Sequence, residues 1–440
     1  MIYGGDGLAR LPAAEASTEK GRGKAVFVPF VLDGETIDAH LTEQKPGFAR
    51  ATVDRIVESS PQRVQPRCPY FTRCGGCHYQ HASYEHQLHI KQEILRETLR
   101  RTAKLDVDCP IRVHASPPWN YRNRSRLQVR SQPEFVFGYF EPGSQDVLPV
   151  EECPISSPLI NRAIAAVWQL GRAGRVPDGV WEIEFFANAN DSKLLLELVC
   201  SDVARRSPIR AFAEELRETA PEITGVVALQ QKIAGKPATE KLISIGEPFL
   251  TYETQSGLYR VSASSFFQTN RHLTDELVSI VTEGRSGDSA LDLYAGVGLF
   301  STALARDFRH IVSVELSQTS TGDLAYNLPS NAEALQASTE QYLARWENSE
   351  RVGKGRVLSH NSYKPDLAVV DPPRTGLGET VARLLASLGA PQIVYVSCDP
   401  ATLARDLKVL LAAEYRVVQA HLVDMFPQTY HLESVFVLER

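Results

Sequence analysis

A cysteine stands among polar residues in Ser397-Cys398-Asp399-Pro400, directly after the apolar run Ile393-Val394-Tyr395-Val396. A thiol in a polar turn at a strand end faces a cleft rather than a core, and thiols are intrinsically strong nucleophiles. Asp371-Pro372-Pro373-Arg374 follows a second apolar run, Leu367-Ala368-Val369-Val370. Each proline restricts the residue before it, so Asp371 is held stiffly at a similar edge. Near the C-terminus, Glu433 precedes the apolar run Val435–Leu438 and offers a carboxylate suited to moving a proton. A nucleophilic thiol and a carboxylate base together suit covalent catalysis, which divides one difficult step into two easier ones.

A second constellation lies in Asp292-Leu293-Tyr294-Ala295-Gly296-Val297-Gly298, which ends a strand and opens a helix. Gly296 and Gly298 let the backbone approach a ligand closely. Glu315 ends the next strand, 17 residues after Gly298, where a carboxylate can bind ribose hydroxyls. Ser301 stands where a dinucleotide fingerprint would place its third glycine, which argues against a pyrophosphate ligand. The pattern suits S-adenosylmethionine better; the bland alternative is a merely structural strand–turn–helix.

Cys68, Cys74 and Cys77 fall within ten residues, with Gly75 and Gly76 between the last two. Cys153, followed by Pro154 as Cys68 is by Pro69, supplies a fourth thiol. Four thiolates suit zinc or an iron–sulfur cluster. The spacing departs from paired Cys-x2-Cys ribbons, so a [4Fe–4S] cluster is favoured over zinc. Arg122, Arg124, Arg126 and Arg130 alternate with Leu127 and Val129 on the intervening positions. In a strand the arginines share one face. No acidic residue occurs from Arg112 to Pro133, so this reads as a basic face for RNA phosphates, against the alternative of a solvated strand.

These residues need rigid elements beneath them. The chain has 440 residues, 43% of them hydrophobic and 23% charged, with a net charge of −6. Those values exclude wholesale disorder and a chain basic throughout, and the length suggests two or three domains. Ser289–Leu293, His310–Glu315, Leu367–Val370 and Ile393–Ser397 are short apolar runs separated by helical lengths. They predict a doubly wound parallel sheet from about residue 256 to 440. Residues 1–60 read as a small β-barrel, with strands at 26–30, 37–41 and 49–53. Residues 61–255 read as a mixed middle domain, with a helix from about Ser83 to Lys104 and strands at 181–186 and 194–199. No run of 18 apolar residues predicts a membrane helix. Seven cysteines, an odd number, suit a reduced cytoplasm.

Taken together, the motifs resemble the RNA 5-methyluridine methyltransferase family over nearly the whole chain. The resemblance implies an α/β fold. Its parts are a C-terminal Rossmann-like S-adenosylmethionine methyltransferase domain, an N-terminal OB-like TRAM barrel and a central α+β domain carrying a [4Fe–4S] cluster on Cys68, Cys74, Cys77 and Cys153. Ser264-Ser265-Phe266-Phe267-Gln268-Thr269-Asn270 matches its Phe-Phe-Gln segment, which implies contact of Gln268 with donor or base. Tyr294, Glu315 and Asp371 fall on its cofactor positions, Cys398 on its nucleophile and Glu433 on its general base. Leu299 departs from the asparagine many members carry after the second glycine. The family's cluster-bearing members imply 23S rRNA as substrate, with transfer RNA as the alternative and a monomer as the default state. Two rival readings are an amino-group methyltransferase, which would not need Cys398, and a non-catalytic RNA-binding factor with a decayed fold.

Overall fold

The computed structural model describes residues 1–11, 23–231, 240–352 and 364–440. At the N-terminus, β1 (Asp6–Arg10), β2 (Ala25–Pro29), β3 (Thr36–Gln44) and β4 (Phe48–Glu58) form one sheet in the order β1-β2-β4-β3. Its small core is Val26, Val28, Val31, Ala49 and Ala51. The expected strands 37–41 and 49–53 lie within β3 and β4, and 26–30 coincides with β2 except for Phe30, which turns the chain at φ +61°. Among the described residues no pairing of β1 with β3 closes this sheet into a barrel.

The helix expected near 83–104 is α1 (Tyr84–Thr98), continued by a π-helical turn, Leu99–Ala103. Ile90, Ile94, Leu95 and Leu99 pack into the same core as Leu291, Val370 and Tyr395, far along the chain. The short strand β5 (Ile111–His114) pairs in parallel with a C-terminal strand, residues 416–423. Residues 61–255, expected as one middle domain, therefore contribute strands to more than one sheet. The four-residue strand carries no periodic signal, which is why the sequence does not show this.

The rest of the middle stretch builds a seven-stranded sheet: β6 (Arg124–Arg130), β7 (Val136–Phe140), β8 (Val147–Pro149), β9 (Val180–Ala187), β10 (Leu194–Cys200), β11 (Ile223–Gln230) and β12 (Glu240–Gly246), ordered β12-β11-β10-β9-β6-β7-β8. Helices α2 (Pro158–Arg172) and α3 (Arg206–Thr219) cover the face that carries Leu127, Val129, Leu196 and Leu198. The opposite face carries Arg126, Glu182 and Glu197, as strand alternation requires. A hairpin of β13 (Phe249–Thr254) and β14 (Gly257–Ser262), then α4 (Thr274–Thr282), leads into the C-terminal sheet.

That sheet is built from β15 (Gly287–Leu293), β16 (Phe308–Glu315), β17 (Ala332–Gln336), β18 (Leu367–Val370), β19 (Gln392–Ser397), β20 (Arg416–Val423) and β21 (Glu433–Glu439), with β5 added at one edge. The order is β17-β16-β15-β18-β19-β21-β20-β5. Helices α5 (Leu299–Leu304), α6 (Gln318–Asn327), α7 (Thr339–Val352), α8 (Gly378–Leu388) and α9 (Pro400–Ala412) link the strands. Parallel strands covered on both faces read as continuous apolar runs, and every residue of β18 is buried. The strand order reverses between β15 and β18, and crevices of open α/β sheets form at such a reversal.

Candidate active site

The nucleophile turn follows from its own sequence. Asp399 caps α9: its Oδ1 accepts the N–H groups of Ala401 and Thr402, both at 2.9 Å. Pro400 takes the first helical position, where no N–H is needed. Cys398 is thus left at the junction of β19 and α9. β21 runs antiparallel to β19 with Ser397 opposite Ser434, so Cys398 comes level with Glu433. Asp371 leaves β18 beside them, its N–H donating to Leu293 O at 3.3 Å.

The electrostatics are dominated by burial. Burial pushes the Cys398 thiol up to about 12; the carboxylates of Glu433 and Asp371 add to this, and Arg374 opposes it. Burial also raises Glu433 well above the ordinary range, with Asp371 adding and Arg374 opposing. Asp371 is raised to about 7 by burial and then by Asp292. Burial thus favours the protonated thiol and the protonated Glu433 carboxyl, and Arg374 is the cation that favours releasing both protons. Arg374 also lies 3.3 Å from His431, whose proton affinity burial and Arg374 lower to about 3.

The crevice on the β15 side is acidic. Asp292 is fully buried and raised to about 7, chiefly by burial. Ser301 and Ser313 form a hydroxyl chain to its Oδ2, while its Oδ1 has no partner among the described residues. Glu315 accepts the N–H groups of Gly296 at 3.0 Å and Ser317 at 2.7 Å, which ties the glycine loop to the end of β16. Tyr294 has φ +63°. Gly298 has φ +93°, a backbone conformation that is strained for any residue with a Cβ. Gln268 is almost buried, yet its amide makes no hydrogen bond among the described residues. Beside it Phe266 is 61% exposed, whereas Phe267 packs 4.4 Å from Tyr252.

Cys68, Cys74, Cys77 and Cys153 line one cavity of about 40 Å³ with Arg122, Tyr139 and Gln80. Burial pushes the Cys74 thiol up to about 11, and the charges of Cys153 and Cys68 add to this. Among the described residues, no three Cys, His, Asp or Glu side chains form a group that could hold a single metal ion.

The acid-free basic face expected of the arginines needs correction. Arg122 lies outside β6 and lines the cysteine cavity, its Nε donating to Arg124 O at 2.9 Å. Arg124 and Arg126 each bond Glu184 at 2.6 Å. The register sets Arg126 opposite Glu184 of β9, so the compensating acid lies 58 residues away in sequence. Arg126 and Arg130 line an open cleft of about 1080 Å³ that also holds Arg260, Lys241, Glu197 and Asp323.

Several residues were not singled out by sequence reasoning. Arg374 follows the Asp-Pro-Pro turn and was visible there without an assigned part. Lys91 and Asp424 form a fully buried ion pair at 2.6 Å, and Asn270 bonds Met425 O at 3.2 Å. No local signal marks these contacts, because their partners lie far along the chain.

The family described as tRNA (uracil-5-)-methyltransferase matches residues 83–440. The chain belongs to that family. An uncharacterised RNA methyltransferase of Aquifex aeolicus is 30% identical to this methyltransferase over 445 residues, covering 100% of this chain and 96% of that protein. The 23S rRNA (uracil(1939)-C(5))-methyltransferase of Vibrio parahaemolyticus is 28% identical over 427 residues, covering 95% and 91%. The crystal structure of the Pyrococcus abyssi tRNA (uracil-54, C5)-methyltransferase, in complex with S-adenosyl-L-homocysteine, superposes with a TM-score of 0.72 at 24% identity and covers 99% of both chains. That likeness shows the methyltransferase fold. None of the described helices is long and apolar enough to cross a membrane.

Proposed function

We propose that this chain methylates C5 of a uridine in RNA, with Cys398 as nucleophile and Glu433 as the base. The observation that carries the reading is the β19–β21 register, which sets a thiol beside a buried carboxyl at the mouth of the crevice. Uracil C5 is a weak nucleophile. When Cys398 Sγ, its proton given up to solvent, bonds to C6, the C5=C6 electrons move onto C5 and O4, and C5 becomes nucleophilic. S-adenosylmethionine supplies the electrophilic methyl carbon that C5 takes up. Glu433 then removes the C5 proton; those electrons rebuild C5=C6 and expel the Cys398 thiolate. Asp371 and Arg374 hold the charge balance around sulfur and carboxylate. The base must leave its stack to reach Cys398, which costs least in a loop or single strand.

The donor fits the crevice. Its sulfonium and ammonium groups are cations, and Asp292, Glu315 and Asp371 are the acids gathered there. Gln268, Tyr294, Gly296 and Gly298 complete the donor site in this reading. Cys68, Cys74, Cys77 and Cys153 would hold a [4Fe–4S] cluster whose part is structural, since methyl transfer needs no electron. A lone zinc, with Zn–S of about 2.3 Å, needs its sulfurs about 3.8 Å apart. Among the described residues no three of these thiols converge as a single ion requires, which favours a cluster over zinc in this reading. The N-terminal sheet acts as the TRAM-like RNA-binding module, and Arg126 and Arg130 reach RNA phosphates from the open cleft.

The substrate in this reading is 23S rRNA, supported by the Vibrio relative that spans nearly the whole chain. Transfer RNA is the second reading, supported by the family description and by the substrate named for the Pyrococcus structure. The enzyme works as a cytoplasmic monomer. Labelled S-adenosylmethionine with unmodified transcripts of both RNAs, followed by nucleoside digestion, separates these readings. Label in 5-methyluridine from 23S rRNA alone is expected. Label from transfer RNA alone would replace the substrate, and label in an amino-methylated purine would overturn the reaction.

A further inference from the structure

The loop of residues 424–432, between β20 and β21, delivers Glu433 to Cys398. Its polar groups are held mainly by residues outside the C-terminal sheet. Asp424 accepts from Lys91 at 2.6 Å and Tyr84 at 2.9 Å. Phe426 O accepts from Lys91 at 2.9 Å, and Pro427 O from the Tyr121 hydroxyl at 3.0 Å. Gln428 makes four hydrogen bonds, all to residues 78–87. Its carbonyl accepts two backbone N–H groups, from His78 at 2.9 Å and Tyr79 at 3.0 Å. Its side chain and backbone exchange bonds with Gln87 of α1: Gln87 Nε2 donates to Gln428 Oε1 at 3.0 Å, and Gln428 N donates to Gln87 Oε1 at 2.9 Å. Gln428 is 3% exposed, and its backbone sits at φ +69°, a left-handed conformation that a residue with a Cβ adopts at a cost. Such a conformation persists only where its surroundings over-determine it.

Three of these anchors adjoin the cysteine cavity in sequence. His78 and Tyr79 are the two residues after Cys77, and Tyr121 directly precedes Arg122, which lines that cavity. The His78 ring also lies 4.5 Å from Tyr430, two residues after Gln428. The turn that places the cysteines is thus the same turn that grips the loop carrying the base.

We infer that Gln428 is a positioning residue that holds the 424–432 loop so that Glu433 faces Cys398, and that the ordered cysteine segment shares with Gln87 in fixing it. The inference rests on the Cys398 and Glu433 reading. It gives the four-cysteine site a part in placing a proton acceptor, with no electron transferred.

The test uses the full-length protein and four variants: Gln428→Gly, which suits the backbone but breaks the amide exchange; Gln87→Met, which leaves the cysteines untouched; Cys77→Ser; and Glu433→Gln as reference. The readouts are hydrogen exchange of residues 424–432 by mass spectrometry, kcat and KM for the donor, and the fraction of protein covalently bound to RNA on denaturing gels. Gln428→Gly and Gln87→Met should speed exchange in the loop about tenfold or more. They should lower kcat about tenfold with an unchanged donor KM, and accumulate the covalent species as Glu433→Gln does. Cys77→Ser should speed exchange in the same loop while donor binding persists. Unchanged loop exchange in folded Cys77→Ser protein would overturn the link to the cysteines. If Cys77→Ser does not fold, an unchanged exchange rate in Gln87→Met overturns the clamp. A fall in kcat with no covalent species in Gln428→Gly, where Glu433→Gln does trap one, would overturn the positioning role. No covalent species in Glu433→Gln itself would instead overturn the underlying reading, and loop exchange would still decide the clamp.

Discussion

The resting Cys398 thiol should be unusually unreactive, and the size of the effect follows from its surroundings. A free thiol with a pKa near 8.5 is about 3% ionised at pH 7. Pushed up to about 12, Cys398 is ionised at about one part in 100,000, which is about 3000-fold less. A more basic thiolate is a better nucleophile, with a Brønsted slope of about 0.4–0.5, which returns about 25- to 60-fold. The net expectation is alkylation by iodoacetamide roughly 100-fold slower than for a small free thiol at pH 7. The rate should rise about tenfold per pH unit from 7 to 10, because the folded-state value lies above that whole window. The assay is mass-spectrometric quantitation of the Cys398 peptide over a pH series, on protein without RNA. Arg374→Ala should slow the reaction further by removing the cation that favours the thiolate. A rate that levels off near pH 8, or an Arg374→Ala variant faster than the parent, would refute the electrostatic account.

Other outcomes follow from single contacts. Cys398→Ala should abolish methyl transfer while RNA affinity by filter binding is retained; residual turnover would remove Cys398 as nucleophile. Lys91→Met leaves Asp424 charged and buried with only the Tyr84 hydroxyl, and should cost about 3–5 kcal/mol in urea unfolding; a loss under 1 kcal/mol would mean the pair is not closed in solution. Glu315→Gln sets an amide N–H against Gly296 or Ser317, both of which Glu315 now accepts. It should weaken donor binding at least about tenfold by calorimetry, or about 1.4 kcal/mol, and an unchanged affinity would move the donor away from β16.

The C-terminal fold was legible because its strands are buried on both faces, so β18 and β19 appear as continuous apolar stretches and β15 and β16 as mostly apolar ones broken by Asp292 and Ser313. The reactive positions were legible for a related reason. They sit in short turns at strand ends, where a cysteine or aspartate among Pro, Gly and Ser has no packing explanation. What escaped was set by partners distant in sequence. Arg124 and Arg126 looked unpaired because Glu184 joins them only through the β6–β9 register. Gln87 and Lys91 interrupt the apolar stripe of α1, as polar residues on a solvated face would. They are buried because Gln428 and Asp424, more than 330 residues onward, bond them. Nor does the sequence around Gln428 announce a left-handed backbone, since no glycine or asparagine marks it.

The central claim is that Cys398 forms and then releases a bond to uracil C6 with Glu433 as the proton acceptor. It is tested most directly by incubating Glu433→Gln protein with RNA and S-adenosylmethionine, digesting both polymers and sequencing the adduct by mass spectrometry. The account predicts a 5-methylated uridine nucleotide on the peptide containing Cys398, absent when Cys398 is also changed to Ala. No adduct together with normal turnover, or an adduct on any other residue, would contradict it.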